Sequence, residues 1–543
     1  MKPINTSIYD FPTLITGGYV YVDKTVILYE LAKPGADILY YLPRPRRFGK
    51  SLMISTLKAL FQGKRELFKG LKIERTDWDW KKEVYPVLHL DMSTVASKNS
   101  AELEVSLKNL VESKAREFGL PFDFNKSAKD NFYNLLVALP SVASTSANGK
   151  YVVLIDEYDA PVAGLLDTEE GRRELPTIRK TLHDFYVQAK AQCGNMRFLM
   201  VTGVSKFAKT SIFSAFNNPV DLTLEARVAD LVGYTHEEME TYFHEHIQAF
   251  ADANGLTYEG AFGDLLRRYD NYQFSSKRLV KVVNPVSLGR ALANGEIRNY
   301  WESTAGSTLI FDALKAKNAA PVDFAAEFEV MSLDAPDALE APTVALLYQG
   351  GYLTIDRRID SETVLLRIPN EEVRISLYRG YVARLLGVDF ALDAFQQTAK
   401  KTARELFADE TGAKFSNLLR TAFAKIPHEW LDKDEKEVKR YFLAFMVFAR
   451  AEVVSEEQHS LGRPDSVVKT EKAIYIVEFK YEQSAEAALA QCREKHYADA
   501  YRSDGRRVVY VGINYDPVVR TVDAVRTEVA VPGSAGTATA MCL

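Results

Sequence analysis

The sequence predicts an α/β protein of several domains, with a parallel sheet near its N-terminal end and a second α/β unit near its C-terminal end. Three observations predict it. Short apolar runs such as 37–43 (DILYYLP) and 151–155 (YVVLI) alternate with segments of helical periodicity. Near-continuous apolar runs are what strands look like when helices cover both faces of a sheet. The chain has 543 residues, 47% hydrophobic and 26% charged, which supplies apolar material for several cores. At about 150 residues per domain, three or four domains are expected.

The elements follow in chain order. Strand 37–43 feeds a basic loop and then the helical pattern SLMISTLKALF. Residues 84–90 (VYPVLHL) form a strand that ends at Asp91, and 101–118 are helical by charge and apolar spacing. Strands 151–155 and 197–202 complete the first α/β region. At THEEMETYFHEHIQAF a Thr followed by Glu residues marks a helix start, and helical patterning continues to about residue 315. Residues 342–368 read helix, turn, strand, strand, which suits a winged-helix-like subdomain or a small α+β packing unit. Residues 372–449 are mostly helical, and 463–480 and 506–513 return to strands. The expected division is 1–234, an α/β domain; 235–315, a helical lid; 316–380, the winged-helix-like part; 381–430, a helical connector; 431–530, a second α/β domain; and 531–543, a small polar disordered tail.

Composition excludes several classes. Lys and Arg number 68 and Asp and Glu 73, so the net charge of −5 commits the whole surface neither to nucleic acid nor to membrane, and any basic site is local. Cys193, Cys492 and Cys542 are far apart, which suits a reducing cytoplasm and excludes a disulfide framework or a CxxC zinc site. No apolar h-region opens the chain and no stretch approaches 18 apolar residues, so a cytoplasmic protein without a membrane span is expected. No GxSxG elbow or HExxH pair is present, and His244 and His246, two apart on a helix, face different directions.

The run after strand 37–43 is RPRRFGKS, residues 44–51. Strand, loop and helix N-terminus in this order are the setting of a phosphate-binding loop. Its candidate contacts are Arg46, Arg47, Phe48, Gly49, Lys50, Ser51 and Leu52. Backbone N–H groups and the helix dipole hold anionic oxygens there. Lys50 would reach the β and γ oxygens of ATP, and Ser51 would ligate Mg²⁺. The consensus GxxxxGK[ST] asks for glycine where Arg44 stands, which puts the loop's turn in question. Residues 151–157 (YVVLIDE) deliver adjacent carboxylates at the end of a strand. Asp156 is suited to the Mg²⁺ shell and Glu157 to polarising the attacking water. Ligands of parallel α/β sheets bind beyond the carboxyl ends of the strands, where both motifs lie. Strand 197–202 ends on Thr202, with Ser205 and Lys206 beyond; Thr202 senses the γ-phosphate or simply caps its strand. Arg267 or Arg268 is a further γ-phosphate candidate, with a solvated helix face as the plainer reading.

Near the other end, Asp465 opens a strand, Glu478 follows 13 residues later on the apolar run AIYIV, and Lys480 is two residues beyond. Period two puts Glu478 and Lys480 on one face. Adjacent strands can converge Asp465 and Glu478 on one Mg²⁺ or Mn²⁺, for which carboxylate oxygens are suitable ligands. Lys480 would orient water or stabilise charge at a scissile phosphate. A hairpin with surface charges is the plainer alternative. From residue 451 on there are 11 Lys plus Arg against 14 Asp plus Glu, an unhelpful balance for binding a phosphate backbone. Arg493, Lys495, Arg502, Arg506 and Arg507 form the candidate local patch.

These motifs, together with YVDKT (21–25), LIDEYDAP (154–161), TGVSKF (202–207) and NPVSLGRAL (284–292), resemble those of bacterial AAA-ATPase-like proteins that carry a C-terminal PD-(D/E)XK nuclease-like domain. The resemblance covers most of the chain. It implies an N-terminal P-loop NTPase domain of three α/β/α layers and a C-terminal restriction-endonuclease-like α/β domain. In that family the arginine-rich loop is the normal form, and the catalytic Glu carries onto Glu157. Asp465, Glu478 and Lys480 take the places of the nuclease motif, with Gln491 and Tyr497 at recurring positions. An acidic residue on the preceding helix is also implied, Glu437 first, then Glu435, with Glu456 as a further choice. The expected function is ATP binding and hydrolysis coupled to a Mg²⁺-dependent nuclease, with DNA as partner and a homo-oligomer as a compatible assembly. The alternative is an ATP-regulated interaction module that binds nucleic acid or protein without cutting.

Overall fold

The computed structural model describes residues 1–142, 149–163, 165, 169–204, 219–301, 326–330, 343–386, 419, 435–448, 452–455, 464–470, 472–501, 504–516 and 521–530. The expected tail, most of the connector, Ser205, Lys206, Glu456, Arg502 and Cys542 lie outside the described residues. The chain divides into two compact units, residues 1–310 with 325–376 and residues 311–324 with 377–543.

The first unit opens with α1 (Phe11–Thr16) and α2 (Thr25–Ala32). Then come β1 (Leu39–Pro43), α3 (Lys50–Phe61), β2 (Val87–Asp91), α4 (Ser100–Glu117), α5 (Ala128–Val142), β3 (Tyr151–Asp156), α6 (Ala160–Ala163), α7 (Glu169–Ala191), β4 (Met196–Gly203) and the short β5 (Val220–Asp221). The sheet order is β2-β3-β4-β1-β5 and every neighbour pair is parallel. Every residue of β3 is buried, as its unbroken apolar run demands. The decisive feature is that β4 lies between β1 and β3. The basic loop and the Asp156-Glu157 pair therefore stand at the same sheet edge, separated by one strand.

The helices α8 (His236–Asn254), α9 (Tyr258–Tyr269) and α10 (Pro285–Asn294) follow. They share a core of Met239, Phe243, Ile247, Phe250, Leu265, Tyr269 and Leu288. Thr235 and Glu238 make a reciprocal capping box at the start of α8. Glu238 also takes the Lys24 ammonium at 2.5 Å in a largely buried pair, which ties the YVDKT segment to the helices. A three-stranded antiparallel sheet, order β6-β8-β7, is built from β6 (Ala326–Glu329), β7 (Thr354–Arg358) and β8 (Thr363–Arg367), with α10 followed by α11 (Thr343–Gln349) ahead of β7. This is the helix and two-stranded ribbon expected at 342–368, with one more strand on its edge. Helix α12 (Glu371–Leu386) spans the boundary at residue 376.

The second unit runs α13 (Glu435–Phe448), β9 (Glu452–Ser455), β10 (Ser466–Lys469), β11 (Ala473–Tyr481), α14 (Ala485–Glu494), β12 (Arg507–Asp516) and β13 (Thr521–Val529). Its mixed sheet has the order β13-β12-β11-β10-β9, and only β11 and β12 are parallel. A parallel neighbour pair needs a crossover, and α14 is that crossover. It lies so close to β12 that a Cβ on Gly512 would stand 2.2 Å from the Ala485 carbonyl. Gly512 pairs with Glu478, so the missing side chain brings α14 down beside that carboxylate.

Candidate functional site

At the first sheet edge, Gly49 (φ 95°) precedes α3 and Lys50 is its first residue. The Lys50 ammonium is buried and donates to the carbonyls of Arg44 (2.9 Å) and Pro45 (3.0 Å). Burial pushes it below its ordinary pKa, while Asp156, Glu157 and Asp159 pull it back up. Arg46 lies within electrostatic reach of both Lys50 and Glu157. Asp156, 3% exposed at the end of β3, accepts from the Thr202 hydroxyl and from the Glu157 N–H at 3.1 Å. Glu157 is held at φ 50°, a left-handed conformation that costs a non-glycine residue of order 1–3 kcal/mol and often marks a functional position. Burial raises its pKa against the pull of Lys50, with Asp156 and Asp159 raising it further. A buried cation, a buried carboxylate and a half-buried glutamate whose pKa is raised thus stand at one edge of the sheet.

The loop lacks the consensus glycine, and its shape comes from elsewhere. Arg44 is 2% exposed, and its guanidinium donates to Pro43 O (2.8 Å), Thr223 O (3.0 Å) and Leu222 O (3.2 Å). It also stacks 4.5 Å over the Phe274 ring. The Phe48 ring meets Tyr272 and Phe274 edge-on at 4.7 and 5.2 Å. Arg47, at φ 67°, donates to the Tyr300 carbonyl. Gly351 (φ 80°) packs against Pro45 so tightly that a Cβ would come within 2.7 Å of it.

At the second unit's site, the ladder pairs Ser466 with Val477, so Asp465 stands one step further on, opposite Glu478 and on its face. Asp465 Oδ2 accepts from the Phe479 N–H at 2.8 Å and Oδ1 from the Lys439 ammonium at 2.6 Å. Glu478 is 4% exposed. Its Oε1 accepts from Gln491 Nε2 and faces Lys480 Nζ at 3.5 Å. Lys480 also donates to Gln491 Oε1 at 2.6 Å, and Tyr497 bonds to the same glutamine. Glu478 Oε2 is buried with no hydrogen-bond partner among the described residues, and burial, with Asp465 opposite, pushes the carboxyl up to about 7. Among the described residues no group of three or more His, Cys, Asp or Glu forms a metal cluster. The two carboxylates still fit a divalent ion. They are hard oxygen donors, and one buried oxygen lacks any other partner.

The comparisons agree with this division. A family model described as predicted AAA-ATPase matches residues 5–213, and one described as PD-(D/E)XK nuclease superfamily matches residues 433–524. A curated relative, "Uncharacterized protein in vnfD 5'region" of Azotobacter chroococcum mcd 1, is 31% identical over 522 residues, 93% of this chain and 94% of its own length. The chain belongs to the AAA-ATPase-like proteins with a C-terminal PD-(D/E)XK nuclease-superfamily domain. Within this AAA-ATPase-like protein, the first match contains Lys50, Asp156, Glu157 and Thr202, and the second contains Lys439, Asp465, Glu478, Lys480 and Gln491. The props Tyr272, Phe274, Tyr300 and Gly351 fall in neither.

Several of the expected residues have partners of their own among the described residues. Thr202 does lie between the two motifs, but its fully buried hydroxyl is spent on Asp156 and so positions that carboxylate. The side chains of Arg47 and Phe48 anchor the loop. The Arg44 guanidinium is turned into backbone carbonyls. Arg267 pairs with Asp264 and Arg268 with Glu371. His246 bonds to the Lys2 carbonyl and His244 lies against the Tyr258 ring. Arg493 is paired with Glu528 and Arg506 with Asp504, which draws two members from the candidate basic patch. Glu435 and Glu437 fall on the first turn of α13, where their side chains lie outside the described residues. Sequence reading missed Lys439. Its signal was its place three residues before Phe442, whose ring packs on Phe479 at 5.2 Å, because residues i and i+3 share a helix face. No helix among the described residues is long and apolar enough to cross a membrane.

Proposed function

We propose that this protein binds and hydrolyses ATP at Lys50, Ser51, Asp156 and Glu157, and that its Asp465-Glu478-Lys480 site acts on nucleic acid, DNA foremost, as a metal-dependent phosphodiesterase in the cytoplasm. The observation that carries the second half is the buried oxygen of Glu478 opposite Asp465, which has no hydrogen-bond partner among the described residues. An ionisable oxygen is seldom buried without a partner unless a ligand completes it.

At the ATP site, Lys50 exchanges two loop carbonyls for the β and γ oxygens, and Arg46 adds charge beside it. Glu157 polarises the attacking water, and Thr202 holds Asp156 in place. Ser51 and Asp156 would hold Mg²⁺, which supplies neutralisation of phosphate charge. At the second site Asp465 and Glu478 would hold Mg²⁺ or Mn²⁺, which supplies a Lewis acid for the scissile phosphate. Lys480, fixed by Gln491, is oriented to steady a water or the developing charge. The test is magnesium-dependent cleavage of plasmid and single-stranded DNA, with and without ATP. Cleavage lost in Glu478→Gln supports the reading. DNA binding without cleavage under any divalent metal replaces it with the non-cutting module.

A further inference from the structure

We infer that Lys439 is the internal cation of the Asp465-Glu478 site and that a divalent ion binds there only when the Lys439 ammonium leaves Asp465. The inference rests on the metal-dependent reading of that site and adds a residue that sets its affinity.

Two carboxylates facing each other across a strand pair repel unless a cation stands between or beside them. Two lysines are near, and they are not equivalent. Lys480 is 3.5 Å from Glu478 and is drawn aside by Gln491 at 2.6 Å. Lys439 sits directly on Asp465 Oδ1 at 2.6 Å. The other oxygen of Asp465 is held by the Phe479 N–H, so the carboxylate cannot rotate away without giving up that hydrogen bond. A metal ion binds carboxylate oxygen at about 2.0–2.6 Å, and the Lys439 ammonium already stands 2.6 Å from Oδ1. Two cations that close repel, so they compete for Asp465.

The geometry also permits the exchange. The root of Lys439 is held, because Phe442 one turn on packs against Phe479. Its tip is on a flexible four-carbon stem, and its side chain is 29% exposed, so the ammonium has a route to water.

The test is Mn²⁺ titration of the full-length, nucleotide-free protein, followed by electron paramagnetic resonance of free Mn²⁺. The site is identified by its loss in Asp465→Asn. Lys439→Met removes the competing charge and should tighten Mn²⁺ binding about tenfold or more, given the strength of charge interactions at this range. Lys439→Gln should behave in the same way, and serves if the Met variant does not fold. Lys439→Arg keeps the charge and should bind no tighter than wild type. Equal Mn²⁺ affinity in wild type, Met and Gln variants, with binding still dependent on Asp465, overturns the inference and leaves the site reading standing. Absence of Asp465-dependent Mn²⁺ binding in every variant overturns both.

Discussion

Restoring the consensus glycine at position 44 should damage the phosphate loop. In Arg44→Gly the carbonyls of Pro43, Leu222 and Thr223 lose their donors, and Phe274 loses the stacked guanidinium. Arg44 is lowered to about 10 by burial, so it is charged at neutral pH. Charge-assisted hydrogen bonds contribute about 1.5–3 kcal/mol each, and a desolvated cation–π contact about 2 kcal/mol. Water entering the vacated space recovers part of this, leaving a net loss of about 4 kcal/mol, in the range of severe single substitutions. The first unit holds roughly 360 residues, and at about 2.1 cal/mol/K per residue its unfolding entropy turns that loss into a Tm drop of about 5 °C. Differential scanning calorimetry reads the drop, and fluorescent-nucleotide titration should show ATP binding weakened several-fold. Arg44→Lys should recover little, because an ammonium cannot span three carbonyls in a planar fork. An Arg44→Gly protein with unchanged Tm and tighter ATP binding would refute the reasoning.

Other expectations follow from the same geometry. Lys50→Ala should abolish ATP binding, read by the same titration, while Glu157→Gln should bind ATP and turn it over at least about a hundredfold more slowly, the usual scale for a lost general base. Asp465→Ala and Lys480→Ala should each remove DNA cleavage and leave the ATP turnover rate unchanged. Glu372, buried beneath Tyr300 and Trp301, whose N–H groups it accepts, is raised to about 7 by burial. An acid whose folded pKa lies above its unfolded value near 4.5 costs stability as pH rises from about 4.5 through 7. Glu372→Gln should therefore lack a loss on the order of 3 kcal/mol that wild type shows between pH 5 and pH 8, measured as the difference in Tm change between the two proteins.

Strands were the most legible part of the sequence, because burial on both faces leaves an unbroken apolar run. The expected 151–155 is observed as Tyr151–Asp156 and the expected 197–202 as Met196–Gly203. Strand β13, TVDAVRTEV, escaped notice because charges interrupt it. The placing of Asp465 opposite Glu478, with Lys480 two residues on, followed from period two and a hairpin. The role of Arg44 did not, because nothing local distinguishes an arginine facing phosphate from one turned into backbone carbonyls 178 residues away. Lys439 was hidden for a similar reason. Helical spacing shows which residues share a face, but only the docking of that face on Phe479 brings the ammonium to Asp465.

Distant neighbours, and no glycine at position 44, shape the loop at 44–51. A gene fragment ending at residue 213 would encode every letter of the motif and none of Tyr272, Phe274, Tyr300 or Gly351. It would spell a nucleotide site without being able to hold one open. Drift among relatives has the same consequence. A homologue whose glycine at the position of Gly351 becomes a larger residue drives a side chain into Pro45, and its loop fails while the motif still reads as intact. In this chain the shape of the loop is written as much in the far segment as in the loop itself.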